Sequence, residues 1–141
     1  MRDIKFRVWD KKTKKIREVS SISFHNKRES FDFDKSNLPK VVNCWGFDII
    51  QQKDIILHRE IDEVIIEQYT GTKDKNEVEV YGGDFIEIHF TFGTYRFKIE
   101  YLEELFQFVA INIDCYEDIY SLESLSEMDF EVIGNIHESV N

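Results

Sequence analysis

A mostly β protein is predicted by three features of the 141-residue sequence. Ile4, Phe6 and Val8 alternate with Lys5, Arg7 and Trp9, the period-2 pattern of a half-buried strand. The run Val64-Ile65-Ile66-Glu67-Gln68-Tyr69 is β-branched and aromatic. Two alternating arms, Asp84 to Phe92 and Tyr95 to Leu102, flank Gly93-Thr94 as a hairpin. Together they predict an N-terminal β subdomain over residues 1–63, a small β-barrel over 64–141, and one short helix near the C-terminus. With 42% hydrophobic residues, 14% aromatics and a single proline, the composition is globular.

Each element follows from its residues. Asp10-Lys11-Lys12-Thr13-Lys14 is a polar turn after the first strand. Ile16, Val19, Ile22 and Phe24 resume as a second strand, and the slip in alternation between Ile16 and Val19 predicts a bulge. Residues 25–38 are polar, with 25–30 the most loop-like. Pro39 precedes a short strand, Val41 to Trp45, and Gly46 breaks it. Residues 47–63 alternate poorly, so strand and helical turn both remain open. Thr70 to Asn76 has the Gly, Asp and Asn of a turn, and a short strand, Val78 to Tyr81, follows.

In the hairpin, a type II′ turn at Gly93-Thr94 pairs Phe92 with Tyr95, Phe90 with Phe97, Ile88 with Ile99, and Ile86 with Tyr101. Every pair on that face is apolar. The other face then sets Glu87 against Glu100, a like-charge pair that is mildly unfavourable. Phe106 to Ile113 is apolar on both faces apart from Gln107 and Asn112, which suits a central strand. Between Ile119 and Met128, Ile119, Leu122 and Leu125 step by three, predicting one or two helical turns. Glu131 to His137 reads as a closing strand.

The net charge is −10, and its distribution is uneven. Residues 1–40 hold 12 Lys/Arg against 6 Asp/Glu, a net of +6; residues 41–141 hold 6 against 22, a net of −16. No Lys or Arg follows Lys98. An acidic chain does not coat duplex DNA by counterion release. The basic turn Lys11, Lys12, Lys14 and Lys15, beside Trp9, is the one stretch suited to phosphates and stacked bases. Docking of this basic segment on the chain's own acidic surface, within one chain or between subunits, is the favoured expectation.

Catalytic chemistry is expected to be absent. Adjacent carboxylates such as Glu103-Glu104 point apart on regular elements, whereas acid/base pairs must converge. The four histidines lack metal-ligand spacing, and Cys44 and Cys115 stand alone, so neither a metal nor a cofactor is expected. Phosphate-binding glycine motifs are absent, and Gly82-Gly83-Asp84 reads as a tight turn. Apolar runs fall far short of the roughly 18 residues that span a bilayer. The charged stretch Met1 to Arg17 has no apolar core of the secretory kind. Membrane association is therefore not expected.

Three segments carry a family resemblance: Arg2 to Asp10; Gln68 to Asn76 followed by Tyr81, Gly83 and Asp84; and Val132 to Glu138. In order and spacing they resemble the YopX family. The resemblance implies a phage or prophage protein, mostly β, whose second part is an SH3-like barrel, acting in the cytoplasm of a bacterial host. It implies no catalytic residues. The family's Gly after Asn76 is Glu77 here, which puts a type I′ turn in doubt and predicts a wider loop. The family's Leu is Thr72, its Glu before Gly-Asp is Gly82, and its Ile after is Phe85. Residues 25–60 match nothing in the family pattern and are where partner specificity is expected to diverge.

The expected function is a non-enzymatic interaction or regulatory module that self-associates or binds a host protein. Its candidate contact residues are Trp9, Lys11, Lys12, Lys14, Lys15, Tyr69, Asp74 and Asn76. The alternatives are an acidic inhibitor that mimics nucleic acid, and a weak nucleic-acid binder through the basic turn.

Overall fold

The structure, a computed structural model, describes residues 4–24 and 39–138. The expected loop at 25–38 lies outside them. The chain divides into two compact units, one of Lys5–Glu67 and one of Met1–Ile4 with Gln68–Asn141.

In the first unit the strands are β1 (Phe6–Asp10), β2 (Lys15–Phe24), β3 (Pro39–Asp48), β4 (Lys53–Glu60) and the first half of β5 (Val64–Lys73), with a 3₁₀ turn at Ile61–Glu63. They lie in the order β4-β3-β2-β1-β5. Val8, Val42 and Cys44 are fully buried and Val64 nearly so, backed by Val19, Ile22, Leu57, Ile61 and Ile66. The irregularity expected before Val19 occurs just after it, where the β2–β3 register shifts between Val19 and Ser21. The open question at 47–63 resolves as a strand. On β4, Ile55, Leu57 and Arg59 are half-buried, while Asp54, Ile56, His58 and Glu60 are exposed. An arginine at an inward position is what weakens the apolar alternation there.

The second unit pairs β6 (Glu79–Tyr81) with the end of β5, and adds β7 (Asp84–Phe90), β8 (Gly93–Leu102), β9 (Gln107–Asn112), β10 (Ile119–Ser121), α1 (Leu122–Leu125) and β11 (Phe130–Asn135). The last five strands form an antiparallel sheet in the order β10-β9-β8-β7-β11. The mostly β class holds. The sheet is open, however: among the described residues no ladder joins β10 to β11, so it does not close into the expected barrel. Its core gathers Val80, Ile86, Ile88, Phe97, Ile99, Ala110, Leu125 and Phe130. The one helix is a single turn that delivers Leu125 into this core. Ser121 caps it, the side-chain oxygen accepting from the Ser124 amide at 3.2 Å. Ile119, expected to be helical, belongs to β10.

The hairpin is present with its faces as expected and its register different. Ile88 opposes Tyr95, Ile86 opposes Phe97, and Glu87 opposes Arg96. The loop is Thr91-Phe92, and Gly93 opens β8 with φ +150°, a conformation that disfavours any side chain. Each partner is displaced by four residues along the opposite arm, an even number, which keeps every side chain on its own face. Ile86, Ile88, Phe97 and Ile99 are therefore all fully buried. The shift also replaces the Glu87–Glu100 clash with an opposite-charge pair, Arg96 Nε lying 3.8 Å from Glu87 Oε2.

Candidate interaction surface

The basic turn joining β1 to β2 is held by a carboxylate that sequence reading treated as part of a polar turn. Asp10 is fully buried. Arg59 donates to both its oxygens, Nε to Oδ1 at 2.9 Å and Nη2 to Oδ2 at 3.1 Å. Oδ2 also accepts from Arg17 Nε at 3.1 Å and from the Thr13 hydroxyl at 2.7 Å. The Lys12 amide reaches Oδ1 at 3.2 Å. Burial pushes the Asp10 carboxyl up, but the hydrogen bonds from Arg59, Thr13 and Arg17 outweigh it and hold the group far below the usual carboxylate range. Cys44 lies within reach of this charge: burial and then the Asp10 carboxylate push its thiol up, away from the reactive thiolate.

This node decides what the turn offers to a partner. Lys11 Nζ donates to the Asp62 carbonyl at 3.0 Å, and Lys12 Nζ pairs with Glu63 Oε2 at 2.7 Å. Two of the four lysines are thus engaged by the 3₁₀ turn. Lys14 and Lys15 are exposed, and among the described residues neither has an acidic partner. Trp9 is half-buried and opposes Ile16 across the β1–β2 ladder.

The other three expected contact residues lie in the second unit. Tyr69 is buried against Tyr81, ring centroids 5.5 Å apart. Asp74 is buried too and acts as a loop staple: its Oδ1 accepts from the amides of Asn76 and Val78, and its Oδ2 from the amide of Val132. Neither side chain presents itself for surface contact. Asn76 is exposed. Glu77, where the family pattern has Gly, takes φ +65°, so the tight turn survives with a strained residue in place of the wider loop expected.

What the sequence did not single out is an apolar surface on the β3–β4 hairpin. Trp45 (42% exposed) opposes Ile56 (45%), Phe47 is 58% exposed, and Ile49 and Ile50 at the tip are 82% and 94% exposed. Alternation was the available signal: Val42, Cys44 and Gly46 point inward, so Trp45 and Phe47 must point out. Arg17 ties this surface to the Asp10 node, its Nη1 donating to the Trp45 carbonyl at 3.2 Å.

The second unit carries two further features. A shallow cleft of about 290 Å³ is lined by Phe85, Lys98, Glu100, Ile111, Ile113 and Tyr116. It contains one carboxylate, 3.4 Å from Lys98 Nζ. On the same sheet Glu87, His89 and Glu131 place one ligand atom each within 4.8 Å of one another.

A family model described as YopX protein matches residues 5–141. The chain belongs to the YopX family. Among curated proteins, none matches. Among solved structures, the crystal structure of protein EF1440 from Enterococcus faecalis is similar at a TM-score of 0.59 and 24% identity, over 98% of this chain and 96% of that one. That likeness concerns the fold alone. No helix among the described residues is long and apolar enough to cross a membrane.

Proposed function

We propose that this YopX-family chain is a non-enzymatic interaction module of phage or prophage origin that self-associates through its β3–β4 hairpin. The observation that supports this most is the exposed set Trp45, Phe47, Ile49, Ile50 and Ile56 on one hairpin. Single exposed apolar residues are ordinary, but a cluster of five, two of them aromatic, is characteristic of contact surfaces. β4 is also the end strand of its unit's order. Among the described residues no strand pairs with its outer edge, which suits pairing with the same strand of a second copy in an isologous two-fold contact. The exposed charges Lys53, Asp54 and Glu60 along β4 include both signs, so a register that sets Lys53 of one copy against Glu60 of the other pairs opposite charges.

Light scattering coupled to size exclusion tests the reading. The wild-type chain is expected as a dimer that persists at high salt, and Trp45→Ser with Phe47→Ser as a folded monomer. A wild-type monomer at every concentration refutes it. A nucleic-acid role through the basic turn is disfavoured by the engagement of Lys11 and Lys12 with Asp62 and Glu63.

A further inference from the structure

We propose that Glu87, His89 and Glu131 form a binding site for one divalent transition-metal ion of the zinc class. The backbone builds the triangle. Glu87 and Glu131 are direct partners in the β7–β11 ladder. His89 follows Glu87 by two residues and so shares its face of the sheet. Beside it, the His89 amide donates to the Asp129 carbonyl at 2.8 Å, which fixes the two strands at this point. All three side chains are half-buried, on regular strands rather than loops.

The imidazole is oriented from outside the cluster. His89 Nδ1 lies 3.1 Å from Thr94 Oγ1, on its cross-strand partner in β8. That contact turns Nε2 toward Glu131 Oε1, which is 3.5 Å away and too far for a good hydrogen bond. A ligating histidine is characteristically held this way, one nitrogen donating to a second group while the other faces the metal.

Charge supplies the second argument. Two carboxylates directly opposite across an antiparallel ladder repel. The nearest guanidinium nitrogen, Arg96 Nε, is 3.8 Å from Glu87, beyond hydrogen-bond length. A divalent cation between the carboxylates removes this conflict. Its ligand bonds of about 2.0–2.2 Å need only side-chain rotation from the observed spacing. Imidazole in the set favours zinc and its transition-metal neighbours over magnesium and calcium, which take oxygen ligands. Three protein ligands leave a coordination position for water or a partner's side chain. The histidine spacing along the chain gave no hint of this, because 42 residues separate Glu131 from His89.

The test uses the full chain in a Cys115→Ser background, which removes the exposed thiol. Isothermal titration with Zn²⁺ is expected to show one ion bound. A raised thermal transition and a Co²⁺ visible band of nitrogen–oxygen ligation are expected with it. His89→Gln and Glu131→Gln are expected to lose the ion and the band while keeping the wild-type circular dichroism. Thr94→Ala is expected to weaken binding about tenfold. Absence of zinc binding overturns the proposal. So does binding unchanged in both ligand variants, or equal binding of Mg²⁺.

Discussion

Replacing Asp10 by Asn is expected to be the most damaging isosteric change in the N-terminal unit. The substitution keeps the side chain's shape and removes its charge. Arg17 and Arg59, only 14% and 12% exposed at their side chains, then share a buried site with no carboxylate. Breaking a buried ion pair from one side costs about 3–5 kcal/mol. Domains have about 5–15 kcal/mol in all, so about a fifth or more of the stability is at stake. For a chain of this size the melting temperature is expected to fall by on the order of 10–20 °C. Thermal and urea unfolding followed by circular dichroism measure it.

The pH dependence carries an independent sign. The ordinary carboxyl value is 3.8, and Asp10 is held far below it in the fold. A depressed value means that the native state keeps its proton off longer than the unfolded chain does. The stabilisation is therefore complete above about pH 4 and is lost as pH falls toward the folded-state value. Asp10→Asn is expected to flatten the stability profile between about pH 5 and 2. A loss below about 1 kcal/mol in the variant, with an unchanged acid limb, refutes the reasoning. Exchanging all three residues for apolar ones of similar volume is the complementary case and is expected to cost little.

Three further outcomes follow from the same geometry. Glu77→Gly relieves a left-handed backbone at φ +65° and is expected to stabilise by about 1 kcal/mol, read from urea midpoints. Asp74→Ala removes the acceptor for three backbone amides; a loss of about 3 kcal/mol or more is expected, measured as a lowered thermal midpoint. Of the two cysteines, exposed Cys115 is expected to react rapidly with a thiol reagent, and buried Cys44 only in denaturant. Equal rates in the native protein overturn that expectation.

The legible and illegible parts of this fold separate by the range of the interactions involved. Alternation in Phe6–Asp10 and in the hairpin arms placed Val8, Ile86, Ile88, Phe97 and Ile99 inside, because a strand's two faces are a local property. Register is not local. A four-residue slip leaves every face unchanged, so the choice between Glu87–Glu100 and Glu87–Arg96 rests on charge and turn chemistry, and here charge outranks the turn preference of Gly93. Arg59 disguised β4 for a related reason: it points inward to meet a carboxylate on another strand. Asp74 resembled an exposed turn residue because its partner amide at Val132 lies 58 residues away. The Glu87–His89–Glu131 grouping depends wholly on the β7–β11 ladder. The apolar hairpin surface is the exception, since its outward phase follows from local alternation once β3 is placed.

The Asp10–Arg59 bonds span 49 residues of chain, and this sets an order of events in folding. During synthesis Thr13 and Arg17 leave the ribosome soon after Asp10, whereas Arg59 follows much later. With one guanidinium only, burial of the carboxylate is incompletely compensated. The first hairpin is therefore expected to gain its full closure only after β4 has docked, so that folding of this unit depends on a long-range encounter rather than a local zipper. Until that contact forms, the unit is expected to be at its most vulnerable to aggregation.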